Sequence, residues 1–156
     1  MAQHLSAVMI VVPDYDRALA FYVGTLGFDL VEDSDLGQGK RWICVAPPGS
    51  AGAQLLLARA ARPGEMAAIG NQAGGRVFLF LSTDDFARDH ARLLEAGVAF
   101  AEAPRREAYG TVAVFTDPFG NRWDLIEPAG KAQGDDRFAT STEWTSPTVA
   151  AGYDGL

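Results

Sequence analysis

The second half of this chain repeats its first half at an offset of 70 residues, and that repetition constrains the fold more than any single motif. Asp14 maps to Asp84, Gly27 to Gly97, Pro48 to Pro118 and Leu55 to Leu125. The apolar run Val8-Met9-Ile10-Val11 maps onto Phe78-Leu79-Phe80-Leu81, so strands coincide as well as punctuating residues. The spacing predicts a first module over 5–60, a crossover over 61–75, a second module over 76–129 and an extension over 130–156.

Each module reads as strand, helix, strand, strand, strand. In the first, residues 6–12 form a β-branched apolar strand, Asp14 is the N-cap of a helix, and Gly27 is its left-handed stop. Phe28 to Val31 returns as a strand, Glu32 to Asp35 is an acidic turn, and strands follow at 41–46 and 54–58 around the Pro47-Pro48-Gly49-Ser50 turn. The second copy gives a strand at 77–82, a helix at 84–96 and strands at 98–101, 111–116 and 122–127. One helical turn is expected near Glu65 to Ile69. A sheet with a helix on one face leaves its other face open. The reading is therefore α+β: two βαβββ modules about a pseudo-twofold axis, forming a cupped eight-stranded mixed sheet whose open faces enclose a cavity.

Charge narrows the partners. Twenty acidic against 13 basic residues give a formal charge of -7, and no basic run exceeds Arg105-Arg106. Such a surface repels nucleic acid. No stretch approaches the roughly 18 apolar residues of a membrane span, and no signal-like segment opens the chain. Cys44 is the single cysteine, so no intrachain disulfide forms and a cytoplasmic setting is expected.

Two motifs carry a family resemblance. Val12-Pro13-Asp14-Tyr15-Asp16-Arg17-Ala18-Leu19-Ala20-Phe21-Tyr22 precedes Leu26-Gly27-Phe28, and Asp117-Pro118-Phe119-Gly120-Asn121-Arg122-Trp123-Asp124-Leu125-Ile126-Glu127 closes the second module. In order and spacing they resemble the vicinal oxygen chelate superfamily of glyoxalase I, extradiol dioxygenases and bleomycin-resistance proteins. The resemblance implies paired βαβββ modules, a homodimer, and a scaffold shared by isomerases, dioxygenases, transferases and binding proteins.

Metal-dependent members place ligands on the first and last strands of each module. Here the first-strand positions fall on Ala7 and Val77, and the last-strand positions on Gln54 and Asp124. Imidazole is the common ligand of such metals and three or four protein ligands are usual. His4 precedes the first strand and His90 lies within the second helix, so neither completes a set. No cofactor is expected, and no residue is assigned to a metal.

Alternation places Ala7, Met9 and Val11 on one face with Val77, Leu79 and Leu81. The expected cavity is walled by Met9, Val11, Leu56, Leu79, Leu81 and Ile126, with Gln54 and Asp124 as its polar points. It suits a mostly apolar small molecule. Asp124, a carboxylate in an apolar strand, needs a partner, a cation or a raised pKa. Arg41 at the third strand, and Arg105, Arg106 and Tyr109 on a cavity-lip loop, are candidate contacts for an anionic or aromatic group. Two functions stay open: a metal-independent ligand-binding protein like the bleomycin-resistance branch, or a glyoxalase- or dioxygenase-type enzyme using Asp124 and Gln54, with or without a divalent metal at an incomplete site completed by water or substrate. Phe138, Trp144 and Tyr153 leave the extension readable as a flexible tail or as a strap.

Overall fold

The computed structural model describes residues 1–130; the reading of the extension lies outside them. The first module runs β1 (Ala7–Val12), α1 (Tyr15–Leu19) continuing into a π-helical turn (Ala20–Thr25), β2 (Asp29–Gly37), β3 (Lys40–Ala46) and β4 (Gln54–Arg59). After α2 (Pro63–Ala68), the second runs β5 (Val77–Ser82), α3 (Phe86–Glu95), β6 (Ala99–Phe100), β7 (Arg105–Glu107), β8 (Gly110–Thr116) and β9 (Arg122–Pro128). The strands form two sheets, ordered β1-β4-β3-β2 and β5-β9-β8-β6, with β7 also paired to β8. The α+β, two-module architecture is as expected. Two local readings change. Glu32 to Asp35 are not a turn but the middle of β2, and the hairpin turns at Gln38-Gly39. The Arg105 loop contributes a short strand.

The module helices α1 and α3 each begin with an N-cap carboxylate accepting from an otherwise orphaned N–H. Asp14 accepts from Arg17 N at 2.8 Å, and Asp85, not Asp84, accepts from Arg88 N at 2.9 Å. Glu127 Oε2 takes a further donor, Phe86 N, at 2.7 Å. His90 is packed between Phe86 and Phe100, with ring centroids at 5.3 and 4.6 Å, which gives it a structural setting.

The modules share one core. Ile10, Val12, Tyr22, Ile43, Val45 and Leu57 from the first join Leu93, Ala113, Phe115, Trp123 and Leu125 from the second in a single buried cluster. Tyr22 and Phe28 pack on Trp123 at 5.9 and 6.0 Å between ring centroids. The helix-side faces of both sheets therefore turn inward, towards each other. Among the described residues the opposite faces do not close over a common cavity: Met9 is 56 % and Phe80 68 % exposed.

The offset of 70 is an average of three local values. Phe100 pairs with Phe115 as Leu30 pairs with Val45, so β2/β6 and β3/β8 keep 70. A bulge at Phe78 raises it to 71 along β5: Val8 pairs with Leu55, whereas the equivalent pair is Leu79 with Trp123. The π-helical turn absorbs that residue in the first module, where Phe28 N bonds Tyr22 O six residues back while Val98 N bonds Leu93 O five back. The 117–121 turn is two residues shorter than its counterpart, so β4/β9 runs at 68.

These shifts correct two sequence expectations. A one-residue slip moves every following side chain to the other face. Leu79 and Leu81 thus pack against the core and Phe80 takes the open face with Met9. Gln54 is the structural counterpart of Arg122, and Asp124 that of Leu56, so Gln54 and Asp124 are not a symmetry-related pair.

Candidate functional site

Beside the edge strands β1 and β5 lies a cleft of about 650 Å3. Leu5, Val8, Phe28 and Leu55 line it from the first module, and Leu79, Phe80, Leu81 and Trp123 from the second. The turn at Pro47 to Ser50, Gln54, Ser82, Thr83 and Asp84 supply the rest. Its volume lies within the range of small-molecule pockets. Of the residues named from sequence, Gln54, Leu79 and Leu81 meet here, from both modules. Met9, Val11, Leu56 and Ile126 lie instead on the open sheet faces.

Asp124 stands one strand away, with Phe80 on β5 and Val114 on β8 as its register partners. Phe80 belongs to both places, since it also lines the cleft. Only 4 % of Asp124 is exposed, and its Oδ1 is sealed from solvent with no hydrogen-bond partner. Burial pushes its pKa up from the ordinary carboxylate value; the Arg105 charge pulls it down, Glu102 adds to the rise and Arg122 opposes it. Arg105 is itself held by Glu102 at 3.0 Å and Glu107 at 2.7 Å. Tyr109, half-buried, follows on the same short strand connection, where its carbonyl accepts from Ala129 N at 2.9 Å.

Arg41 is placed elsewhere. It shares the alternation of Ile43 and Val45, bridges Asp33 at 2.6 Å and Asp16 at 2.8 Å, and stacks on Tyr15. It pins the acidic β2 edge to α1, and its charge is spent there. Cys44 is buried, and burial raises its thiol pKa, so it behaves as a core residue.

Sequence reasoning missed three residues. Strict alternation puts Leu79 and Leu81, not Phe80, on the open face, because nothing in composition announces the bulge at Phe78. Gln72 donates to Val11 O at 2.8 Å and accepts from Val11 N at 3.1 Å, completing the β1 edge with a side chain. Glu102 was passed over although its spacing of three from Arg105 is a pairing signal.

The residues at the family's metal positions do not fit a metal. Ala7 and Val77 carry no donor atom, and among the described residues no group of three His, Cys, Asp or Glu is placed to hold one. Nor is any helix among them long and apolar enough to cross a membrane.

The model of the Glyoxalase/Bleomycin resistance protein/Dioxygenase superfamily matches residues 4–125. The chain belongs to this superfamily. An uncharacterized protein of Shewanella frigidimarina is 55 % identical over 81 % of this chain and 95 % of its own length. YurT of Bacillus subtilis is 35 % identical over 76 % and 94 %. Among solved structures, TnmS3, an antibiotic binding protein from Streptomyces sp. CB03234, is 36 % identical over 82 % of this chain and 98 % of its own, with a TM-score of 0.66. UcmS2 is 30 % identical over 81 % and 98 %, with a TM-score of 0.71.

Proposed function

We propose that this superfamily member is a cytoplasmic homodimer that binds a mostly apolar small molecule in the cleft between its modules, without a metal ion. The observation that carries the reading is the 650 Å3 cleft, walled by Val8, Phe28, Leu79 and Trp123, with Gln54, Ser82, Thr83 and Asp84 as its polar points. The likeness to TnmS3, an antibiotic binding protein, supports it. The donor-poor Ala7 and Val77 positions support metal independence. The open apolar faces at Met9, Trp42 and Phe80, together with the terminal strands of the two open sheets, support a dimer.

The test is calorimetric titration of the chelator-treated protein with a panel of apolar natural-product antibiotics, alongside the variant Ala53→Trp, which fills the cleft from the 51–53 loop. Binding by the wild type and its loss in the variant are expected. Binding that appears only on adding metal, or that survives Ala53→Trp unchanged, overturns the reading.

Asp124 favours a second reading: a buried carboxyl with a raised pKa is suited to proton transfer, with Gln54 orienting a substrate carbonyl. On that reading Asp124→Ala abolishes multiple turnover of a bound compound while the circular dichroism spectrum is preserved. A fully active Asp124→Ala excludes it.

A further inference from the structure

We infer that the molecule held in the cleft is peptide-like, an extended chain of amides that adds to the free edge of β5, with the Gln54 side chain as a further polar contact. The inference rests on the cleft reading and adds the ligand's chemical class to it.

The cleft runs along a strand edge, not over a sheet face. Leu79, Phe80, Leu81 and Ser82 line it as consecutive residues, although successive side chains of a strand point to opposite faces. One edge of β5 is taken by β9, and among the described residues no strand takes the other. Thr83 N donates to Ile126 O at 2.8 Å, in keeping with the pairing of Ser82 with Ile126 and of Leu81 with Leu125. Backbone groups alternate sides along a strand, so Leu81 and Thr83 face β9 while Phe80 and Ser82 turn their N–H and C=O to the free edge. Among the described residues nothing pairs with those groups. Two donors and two acceptors therefore repeat about 6.6 Å apart, the two-residue repeat of an extended peptide.

The fold already seats an amide on such an edge. Gln72 Nε2 donates to Val11 O at 2.8 Å and its Oε1 accepts from Val11 N at 3.1 Å, so one side-chain amide takes the place of a strand residue beside β1. Gln54 brings a second amide into the cleft, and among the described residues its side chain makes no hydrogen bond. It offers a donor and an acceptor together. No Lys, Arg or His lines the cleft, and its one carboxylate, Asp84, is bridged by Arg88 at 2.8 Å. Recognition there works through paired donors and acceptors, with Leu79, Leu81 and Trp123 as apolar walls for the ligand's side chains.

The test is an N-methyl scan. Dansyl-Ala-Val-Ala-Val-amide and its four analogues, each methylated at one residue's nitrogen, are titrated by fluorescence anisotropy into the full-length wild type, Ala53→Trp and Ser82→Pro. Because amides of an extended chain alternate sides, methylation at every second residue is expected to weaken binding about tenfold and methylation between them to leave it unchanged. Ser82→Pro removes the N–H at the free edge and costs β5 no bond to β9; it is expected to weaken the parent peptide about tenfold. Equal affinity of all five peptides in the wild type, a result that needs no variant, overturns the strand-addition inference. Parent binding unchanged in Ser82→Pro, or retained in Ala53→Trp, does the same. Peptide affinity that falls as protein concentration rises gives the β5 edge to a second copy and overturns it too. No binding of any peptide also overturns it, while the cleft stands or falls separately on the antibiotic titration above.

Discussion

Tyr22 donates its hydroxyl to Asp117 Oδ2 at 2.6 Å, joining the helix of one module to the closing turn of the other across 95 residues. Asp117 also accepts from Phe119 N and Asn121 N at 2.9 Å and from Asn121 Nδ2 at 2.7 Å. One buried carboxylate therefore sets the turn that aims β9, and through Tyr22 it fixes that turn against the first module. Burial and the Asp117 charge push the Tyr22 hydroxyl well above its ordinary pKa, so it stays a donor at any working pH.

Removing the two partners should have unequal effects. Tyr22→Phe deletes one bond and leaves Asp117 with three donors; a loss of about 1–3 kcal/mol is expected. Asp117→Ala strands the Tyr22 hydroxyl and the turn amides together, so its cost should exceed that of Tyr22→Phe. Urea unfolding of both at pH 7 ranks them. A Tyr22→Phe variant less stable than Asp117→Ala would place the organising role elsewhere.

Two glycines predict opposite signs. Gly70 has φ +69°, and a Cβ there would fall on the carbonyl oxygen of Phe119, linking the crossover to the 117–121 turn. Gly70→Ala should cost several degrees in melting temperature. Gly24, in the π-helical turn, has open space around it and no positive φ. Gly24→Ala should stabilise by about 0.5–1 kcal/mol through lost freedom in the unfolded chain. Scanning calorimetry of the pair gives both signs.

Gln72 completes the β1 edge by pairing both polar groups of Val11. Gln72→Leu removes a donor and an acceptor and opens the edge to another strand. A stability loss of about 1–2 kcal/mol is expected, with greater self-association by light scattering. Unchanged stability and unchanged size would show that solvent serves Val11 equally well.

Module order, helix caps and shared motifs were legible because they depend on local chemistry: Asp14 caps, Gly27 and Gly97 both stop a helix at φ +83°, and Asp117-Pro118-Phe119-Gly120-Asn121 turns. The site was less legible because it depends on register, which accumulates small insertions. The Phe78 bulge exchanged Leu79 and Leu81 for Phe80 on the open face. The shorter second turn made Leu56, not Gln54, the counterpart of Asp124. The packing of helix faces inward, which leaves Met9 and Phe80 exposed, is a property of both modules together and has no signature in either one.

Asp124 itself makes the last prediction, through the pH dependence of stability. Burial raises its folded pKa above the unfolded value, so its contribution favours the folded state at low pH and is lost as pH rises through the folded pKa. The charges acting on it are Arg105 and Glu102 from the β6–β8 connection and Arg122 from β9; its strand neighbours Phe80 and Val114 are uncharged. Asp124→Asn keeps the shape and removes the ionisation. The variant should melt several degrees above the wild type at pH 8, and the gap should close as pH falls to about 4. Carboxylates held below their ordinary values, such as Asp33 and Asp89, run in the opposite direction but are common to both proteins and cancel in the difference. A wild type more stable than Asp124→Asn at pH 8 without ligand would mean that the carboxylate is already paired, and that the fold rather than a ligand accounts for its presence.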